Sequence, residues 1–295
     1  MKSIFVKTFG LLVSIPVTPG WLRDLIMWPI ATRILGLQYR HKIKMKDGFL
    51  MYGSMEDILS REILFTGAFR KRLWEPSTTL LLERFSQQSR EILVAGAHMG
   101  YLVLSAALHT KGRVHAFEPI PELFQKSEDN LNLNPELRGS VVLTQAALGE
   151  NKGEITMYSE EIRSSVIPYG GGHVANQNKV IVPITTIDDY CKKVGVEKLD
   201  LILLDIEGFE WTALNGAKEI LKSKPILILE ISPKILSKTH ITPEMMFNRL
   251  ADLRYRISFI DDHQGGEQLV EYDGVVAQRF LEREYVNILA TPIDE

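Results

Sequence analysis

The chain has very little cysteine and no long apolar run. Cys191 is the single cysteine among 295 residues, which excludes an internal disulfide framework and a cysteine-rich zinc site. The apolar stretch Phe9–Val17 is interrupted by Pro16 and is shorter than the roughly 20 residues that a spanning helix needs. Lys2 and Lys7 precede it, but no small-residue cleavage site follows. We therefore expect neither a transmembrane segment nor a signal peptide, and we expect a cytoplasmic location.

The sequence also lacks the features of nucleic-acid binding, since it has no basic run interleaved with aromatics and no zinc-finger spacing. Its charge is uneven: residues 1–90 carry a net charge of +7 and residues 91–295 a net charge of −10. We interpret the basic segment, residues 1–90, as a solvent-exposed face. The alternative is that it contacts an anionic membrane surface. Within residues 1–35, apolar residues recur at helical spacing: Trp21, Leu22, Leu25, Ile26 and Trp28. This helix is expected to pack on the main domain or, alternatively, to contact the inner membrane face peripherally.

Residues 1–88 are predicted to form an N-terminal cap of helices and a hairpin. Alternating residues on both sides of Lys46-Asp47-Gly48 predict a hairpin over Gln38–Tyr52, because Asp-Gly favours a tight turn. A helix is predicted over Pro76–Ser86. Pro29 is expected to end the helix that precedes it.

The stretch Glu91–Pro119 has the pattern of strand, glycine turn, helix, strand and acid. Ile92–Ala95 is a short apolar run, typical of a strand buried on both faces. Gly96 and Gly100 then interrupt it, and glycines at such a turn let the backbone approach a ligand. Glu118 lies 22 residues after Gly96 at the end of the next strand, where a Rossmann-like fold places the acceptor for a ribose hydroxyl. The stretch therefore predicts a site for a nucleoside-bearing cofactor.

The spacing of these glycines indicates which cofactor is bound. A dinucleotide fold needs G-x-G-x-x-G, whose second glycine lets the pyrophosphate come close. Here the pattern is G-x-x-x-G, and His98 occupies the second-glycine position, where a side chain obstructs pyrophosphate binding. S-adenosylmethionine has no phosphate and does not need that glycine. The turn thus favours S-adenosylmethionine over a nicotinamide dinucleotide, with a purely structural glycine turn as the alternative.

Strands and helices alternate over most of residues 89–295, which predicts an α/β domain with a doubly wound, mostly parallel sheet of the Rossmann-like type. The last two strands are joined by a polar segment and are expected to run antiparallel. A helix is predicted from about Glu207 to Lys222. Residues 159–179 show no periodicity and are predicted to form a binding loop or lid.

Four acids fall at or just past the carboxyl ends of predicted strands: Glu118, Asp205, Glu207 and Glu230. Ligands of open α/β sheets lie outside these ends. Carboxylates there can orient a substrate hydroxyl, take its proton or hold a divalent cation. No metal-ligand set is identifiable, so metal dependence stays open. Glu210, by contrast, is predicted only to favour a helix N-terminus through the helix dipole.

Several motifs between about Thr66 and Ile231 resemble the FkbM-type methyltransferases in order and spacing. These motifs are GAHMGY, HAFEP, NLNLN, AALGENKGE, PITTIDDY, LDLILLDIEGFEWTALNGA and ILEIS. The most specific part is D-x-E-G-x-E following T-x-D-D. The family is similar to other class I S-adenosylmethionine-dependent methyltransferases. The resemblance therefore implies that fold, that cofactor and O-methylation of a hydroxyl in a sugar, glycolipid or polyketide.

The resemblance also implies roles for individual residues. Four turn residues would line the methionine end of the cofactor: Gly96, Ala97, His98 and Gly100. Glu118 would accept from the ribose hydroxyls. Two residues would lie near the adenine: Gln145 and Ala146. Three acids would face the acceptor: Asp205, Glu207 and Glu230. Two serines would lie in the loop that closes over it: Ser164 and Ser165.

The chain departs from the family's pattern at three positions. Val94 and Leu203 stand where the family usually has Asp and Lys, and His98 stands where it usually has Asn. The missing Asp removes a charged hydrogen bond that would help to hold the amino-acid part of the cofactor. Such a bond is worth roughly 1.5–3 kcal/mol, which corresponds to a loss of affinity of about tenfold or more. His98 is either a compensating contact or only a turn residue.

The predicted function is that of an S-adenosylmethionine-dependent O-methyltransferase acting on a sugar, glycolipid or related secondary metabolite. Asp205 or Glu230 would serve as base or orienter, and catalysis would rest mostly on positioning. Two alternatives stay open. A catalytically impaired cofactor-binding scaffold would account for Val94 and Leu203, and a nicotinamide-dependent oxidoreductase would use a similar sheet. The expected partner is a small-molecule or glycan acceptor, and the sequence favours no particular oligomeric state.

Overall fold

A computed structural model describes residues 28–36, 39–46, 48–55, 60–61, 64, 75–160, 163–165, 178–262 and 268–293. The chain divides into two compact units: residues 1–74 with 132–134, and residues 75–131 with 135–295. The helix Pro76–Ser86, which the sequence assigned to the cap, belongs to the larger unit. The division of the chain into functional domains at residue 88 stays a prediction.

The smaller unit contains a helix and a hairpin. Its described elements are α1 (Trp28–Leu35) and the antiparallel strands β1 (Arg40–Lys44) and β2 (Leu50–Ser54). These strands confirm the predicted hairpin. The described helix α1 contains Pro29 near its start, whereas the helix expected to end at Pro29 lies outside the described residues. Proline lacks an amide proton, and the first turn of a helix needs none. Residues 1–27 lie outside the described residues, so the membrane contact expected there stays a prediction.

The larger unit holds most of the regular structure. The remaining described elements are, in chain order, α2 (Pro76–Ser86), β3 (Glu91–Ala95), α3 (Tyr101–His109), β4 (Arg113–Phe117), α4 (Pro121–Asn132), α5 (Pro135–Arg138), β5 (Val141–Thr144), β6 (Ala147–Leu148), β7 (Gly153–Glu160), β8 (Arg163–Ser165), β9 (Asn178–Thr185), α6 (Ile187–Val194), β10 (Leu201–Leu204), α7 (Glu210–Asn215), β11 (Ile226–Ile231), α8 (Pro233–Leu236), α9 (Pro243–Asp252), β12 (Tyr255–Ile260), β13 (Leu269–Glu271), α10 (Gly274–Leu281) and β14 (Val286–Pro292).

Eight strands form the main sheet, in the order β13-β12-β14-β11-β10-β3-β4-β5. The strands from β11 to β5 are parallel to one another, and β14 pairs antiparallel with β11 and β12. From β3 the chain moves outward through β4 to β5 and then returns to β10 and β11 on the other side. This is the doubly wound order of a Rossmann-like sheet, with β14 inserted between β11 and β12. The predicted fold class and the antiparallel last pair are confirmed.

A second sheet, in the order β6-β9-β7-β8, replaces part of the predicted loop over residues 159–179. In it β7 extends to Glu160 and β9 begins at Asn178. The single helix predicted from Glu207 to Lys222 is also wrong, because α7 ends at Asn215 and a 3₁₀ turn follows at Ile220–Ser223. At Gly216 the backbone approaches Gly149 so closely that a Cβ would lie 2.1 Å from the Gly149 carbonyl oxygen.

The central strands are buried on both sides of the sheet. Every residue of β10 is buried, as are the last four residues of β3 and of β4. Such continuous burial is expected of parallel strands that are covered on both faces. In the part of the chain that the structure describes, no helix is both long enough and apolar enough to cross a membrane.

Candidate functional site

The glycine turn after β3 lies against the end of β10. Gly96 has a φ of 83°, a left-handed conformation that favours glycine. A Cβ at this position would lie 1.8 Å from the Asp205 carbonyl oxygen. Gly100 has a φ of 93°, and a Cβ there would lie 2.9 Å from Ser127 Oγ. The two glycines therefore let the turn fit closely between β10 and α4, at the point where the winding of the sheet reverses.

The same turn is hydrogen-bonded to the end of β4. The amides of Gly96 and Ala97 both donate to the Phe117 carbonyl oxygen, at 3.1 and 2.9 Å. On the other side, the amide of Asp205 donates to the Ala95 carbonyl oxygen at 3.0 Å. The carboxyl ends of β3, β4 and β10 are thus held together by backbone contacts.

Glu118 directly follows β4 and lies on the turn. It is 2% exposed; its Oε2 accepts from the His98 amide at 2.8 Å and its Oε1 from the Ile120 amide at 3.0 Å. Burial raises the pKa of Glu118 to about 7, against the effect of these two hydrogen bonds, and Asp205 raises it further. His98 takes a left-handed φ of 50°, which histidine adopts more readily than most residues. Since each carboxylate oxygen has a second lone pair, Glu118 can accept further hydrogen bonds from a ligand.

An open, mostly apolar pocket of about 310 Å³ is lined in part by the two sequence neighbours of Glu118. Its lining comprises Ala95, Gly96, Phe117, Pro119, Ala146, Ala147, Leu148, Met157, Ile206 and Phe209. Phe117 and Pro119 flank Glu118 in sequence, so one wall of the pocket and the carboxylate come from the same strand end. Ala146 lies in the wall, whereas Gln145 is exposed and is not part of the lining. That these two residues lie near the adenine stays a prediction.

Three predicted acids meet at the adjacent strand ends. Asp205 and Glu207 lie in the turn after β10, where Glu207 has a left-handed φ of 53°, and Glu230 lies within β11. Glu230 is 7% exposed, and within the described residues its side chain forms no hydrogen bond. Burial raises the pKa of Glu230 well above its usual range, and the carboxyl groups of Asp205, Glu207, Glu75 and Glu210 raise it further. A raised pKa makes the carboxylate form of such a group a stronger base.

The expectation that Glu210 acts only on a helix dipole is wrong. Its side chain is fully buried, and its Oε1 accepts from the amides of Ile206 and Gly208 at 3.0 and 3.2 Å. Burial raises the pKa of Glu210 to about 8. A carboxyl group that is neutral at pH 7 gives little dipole stabilisation. Glu210 instead holds the turn that presents Asp205 and Glu207.

Three residues at this edge were missed by the sequence reasoning. Glu75, directly before α2, accepts hydrogen bonds from Tyr285 and from Asn287, the latter with 3.3 Å between Nδ2 and Oε2. Asn287 Nδ2 also lies 3.4 Å from Asp262 Oδ2. Burial raises the pKa of Glu75 well above its usual range, as do Asp205 and Asp262. No motif marks these residues, because they lie far apart in the chain: Asn287 reaches the edge in β14, which runs antiparallel to β11, and Tyr285 directly precedes that strand.

The described geometry adds no evidence for a metal site or for the predicted loop over the acceptor. Among the residues that the structure describes, no group of three or more His, Cys, Asp or Glu is arranged to hold a metal ion. Ser164 and Ser165 form part of β8, and their side chains lie outside the described part of the structure. Their role in closing over the acceptor stays a prediction.

Comparisons with known proteins find similar methyltransferases. Residues 95–257 match the profile of the methyltransferase FkbM domain. The hexuronic acid methyltransferase AglP of Haloferax volcanii is 22% identical over 221 residues, which cover 70% of this chain and 89% of that protein. The 2-O-methyltransferase NoeI of Sinorhizobium fredii is 24% identical over 143 residues, 44% of this chain and 57% of that protein. The crystal structure of an FkbM methyltransferase from Methylobacillus flagellatus is 19% identical with a TM-score of 0.45, and the match covers 68% of this chain and 43% of that one.

Proposed function

This chain belongs to the FkbM methyltransferase family, and from that premise we propose that it transfers a methyl group from S-adenosylmethionine to a hydroxyl oxygen of a sugar, glycolipid or related secondary metabolite. The observation that carries the proposal is the position of Glu118. It lies at the end of β4, hydrogen-bonded to the glycine turn and flanked by two residues that line the apolar pocket.

The residues present suit a nucleoside without a pyrophosphate. The pocket beside Glu118 has aromatic and aliphatic walls, which favour a flat, apolar ring such as adenine. The free lone pairs of Glu118 are available to ribose hydroxyls. The His98 amide already donates to Glu118, so it is not free to bind a phosphate oxygen. This arrangement favours S-adenosylmethionine over a nicotinamide dinucleotide.

In the proposed mechanism the chain positions the acceptor and accepts its proton. S-adenosylmethionine, when bound, would supply the methyl group through cleavage of its sulfur–methyl bond, with S-adenosylhomocysteine as the leaving group. Gly96, Ala97 and Gly100 would hold the turn close to the cofactor, and Glu118 would accept from its ribose hydroxyls. Asp205 and Glu207 orient the acceptor, and Glu230 takes the hydroxyl proton as the oxygen forms its new bond to carbon. Alignment of acceptor and methyl group supplies most of the rate enhancement.

The acceptor class rests on the two curated relatives. One is named for a hexuronic acid and the other for a 2-O position, and these names support an oxygen of a sugar as the acceptor. The position that is methylated on this chain's acceptor follows from neither name.

The experiment is methyl transfer from S-adenosylmethionine with a deuterated methyl group to a panel of glycosides and glycolipids, followed by mass spectrometry. We expect the label on a hydroxyl oxygen, and we expect Glu230→Gln to bind S-adenosylhomocysteine normally but to transfer little label. Label on nitrogen or carbon, or transfer that Glu230→Gln leaves intact, would contradict the proposal.

A further inference from the structure

A chain of hydrogen bonds joins the start of β3 to α6 through the middle of β4. His115 of β4 is buried. Its Nε2 lies 2.8 Å from Glu91 Oε2, and its Nδ1 lies 2.8 Å from the Tyr190 hydroxyl oxygen. Arg113 Nη2 donates to the other Glu91 oxygen at 2.8 Å. The chain thus leads from an ion pair near the surface to a buried tyrosine of α6.

The partners of His115 give each hydrogen bond a direction. An ionised carboxylate can only accept, so Nε2 donates to Glu91. In a neutral imidazole the other nitrogen accepts, so the Tyr190 hydroxyl donates to Nδ1. Burial raises the pKa of the Tyr190 hydroxyl, which keeps this group protonated and able to donate. Because a satisfied polar network makes a core more rigid, His115 fixes the orientation of the tyrosine ring.

The ring of Tyr190 packs edge-on against Phe117. Their ring centroids are 4.6 Å apart and their planes meet at 77°, an arrangement that aromatic pairs favour. Phe117 follows His115 by two residues on β4, so their side chains lie on the same face of the sheet, and both contact Tyr190. Phe117 lines the pocket, whereas Tyr190 does not. Tyr190 therefore lies directly behind one wall of the pocket.

Phe117 connects the two parts of the proposed cofactor site. It lines the pocket, and its carbonyl oxygen accepts from the amides of Gly96 and Ala97 in the glycine turn. A displacement of Phe117 would change the shape of the pocket and the position of the turn together. A site that already has its bound shape binds more tightly, because less ordering is needed on binding. Whatever holds Phe117 in place thus contributes to affinity without touching the ligand.

We propose that Tyr190 is a positioning residue of the cofactor site: anchored by His115, it holds Phe117 so that the pocket is preformed for the adenosine part of S-adenosylmethionine. This inference rests on the proposed function. Tyr190 acts through Phe117 and contacts neither the cofactor nor the acceptor. Loss of its hydroxyl should therefore weaken cofactor binding and leave the chemical step unchanged.

The test removes the Tyr190 hydroxyl and measures cofactor affinity. Tyr190→Phe keeps the ring and loses the hydrogen bond to His115. We expect its dissociation constant for S-adenosylhomocysteine, measured by calorimetry, to rise about fivefold. With a glycoside that the panel shows to be methylated, the KM for S-adenosylmethionine should rise while kcat stays within about twofold. Circular dichroism at the same temperature establishes that each variant is folded.

Tyr255→Phe is the matched control. Tyr255 of β12 is buried, its hydroxyl donates to the Pro225 carbonyl oxygen at 2.9 Å, and it is not part of the pocket lining. This variant also loses a buried hydrogen bond of a tyrosine hydroxyl, so it should lower the free energy of unfolding as Tyr190→Phe does. Its affinity for S-adenosylhomocysteine should stay within about twofold of the unaltered protein, because only Tyr190 supports the pocket wall.

A double-mutant cycle tests whether Tyr190 acts through Phe117. Phe117→Leu should by itself weaken the binding of S-adenosylhomocysteine, and adding Tyr190→Phe should then weaken it by less than about twofold more. Losses that multiply in the double variant would overturn the inference. So would an unchanged affinity of Tyr190→Phe in a protein that binds S-adenosylhomocysteine. If the folded, unaltered protein does not bind S-adenosylhomocysteine, the proposed function fails and the inference fails with it.

Discussion

Val94 on β3 and Leu203 on β10 lie opposite each other in the register of two neighbouring parallel strands, and both are buried. The family resemblance implies Asp at the first position and Lys at the second. The two departures are therefore neighbours, and an apolar pair stands where a charged pair is usual. Replacing a buried ion pair by apolar residues is often neutral or stabilising, because no charge is left unpaired. The apolar pair thus gives no reason to expect a loss of stability, whereas the weaker cofactor binding expected from Val94 stays a prediction.

This relationship predicts a non-additive result when the charges are introduced. Val94→Asp alone should lower the free energy of unfolding by about 3–5 kcal/mol, since it buries a carboxylate without a partner. Val94→Asp combined with Leu203→Lys should recover a large part of that loss. Urea unfolding of the two single variants and the double variant measures the coupling. If the double variant loses as much free energy of unfolding as the two single variants together, the result would contradict a pairing of the two charges.

Gly96 should tolerate no side chain. Gly96→Ala places a Cβ 1.8 Å from the Asp205 carbonyl oxygen at a positive φ, so the turn must move. We expect unfolding at lower urea concentration and loss of S-adenosylhomocysteine binding in any folded fraction. Gly139→Ala is the control, because a Cβ there meets nothing within 4 Å and the backbone is not left-handed. Normal binding by Gly96→Ala would show that the turn does not contact the cofactor.

Cofactor affinity should depend on the ionisation of Glu118. Its pKa of about 7 means that the carboxylate form, the better acceptor for ribose hydroxyls, increases between pH 6 and pH 8. Binding of S-adenosylhomocysteine should therefore tighten over this range in the unaltered protein. Glu118→Gln should bind at least about tenfold more weakly and show a flatter pH profile. Calorimetry at several pH values measures both, and parallel profiles for the two proteins would count against a ribose contact.

Stability should fall as the pH rises through the pKa of Glu210. The folded protein holds this proton up to about pH 8, whereas the ordinary pKa is 4.5. Between these values the folded state binds more protons than the unfolded state, so the free energy of unfolding decreases with increasing pH. Glu210→Gln removes this contribution, and its stability should decline less steeply, with a difference on the order of a few kcal/mol by pH 8.

The control for this measurement is Glu197→Gln, which alters an exposed carboxylate and should reproduce the pH dependence of the unaltered protein. Urea unfolding between pH 5 and pH 9 supplies the comparison. If the Glu210→Gln and unaltered curves run parallel, the buried carboxyl is not protonated in the folded state.

The sequence specified those elements whose start and stop signals are local. Helix α6 has such signals at both ends: Thr186 caps it, accepting from the Asp189 amide at 2.9 Å, and Gly195 ends it in a left-handed conformation. Glu118 could be placed because the acid directly ends a buried strand. The family resemblance is confirmed by the matching profile over residues 95–257.

What the sequence could not show depends on packing between distant segments. Glu75 and Asn287 are 212 residues apart and meet because β14 enters the sheet in the opposite direction. Glu210 was misjudged because its position suggests an exposed helix start, whereas its side chain is buried under the turn that it supports. Neither feature has a periodic or local signal.

The central claim is that the glycine turn and Glu118 form an S-adenosylmethionine site. It is tested most directly by calorimetric titration of the purified protein with S-adenosylhomocysteine and, separately, with NADH. The account predicts micromolar binding of S-adenosylhomocysteine that Glu118→Gln weakens, and no binding of NADH. A folded protein that binds NADH, or that binds neither compound, would contradict it.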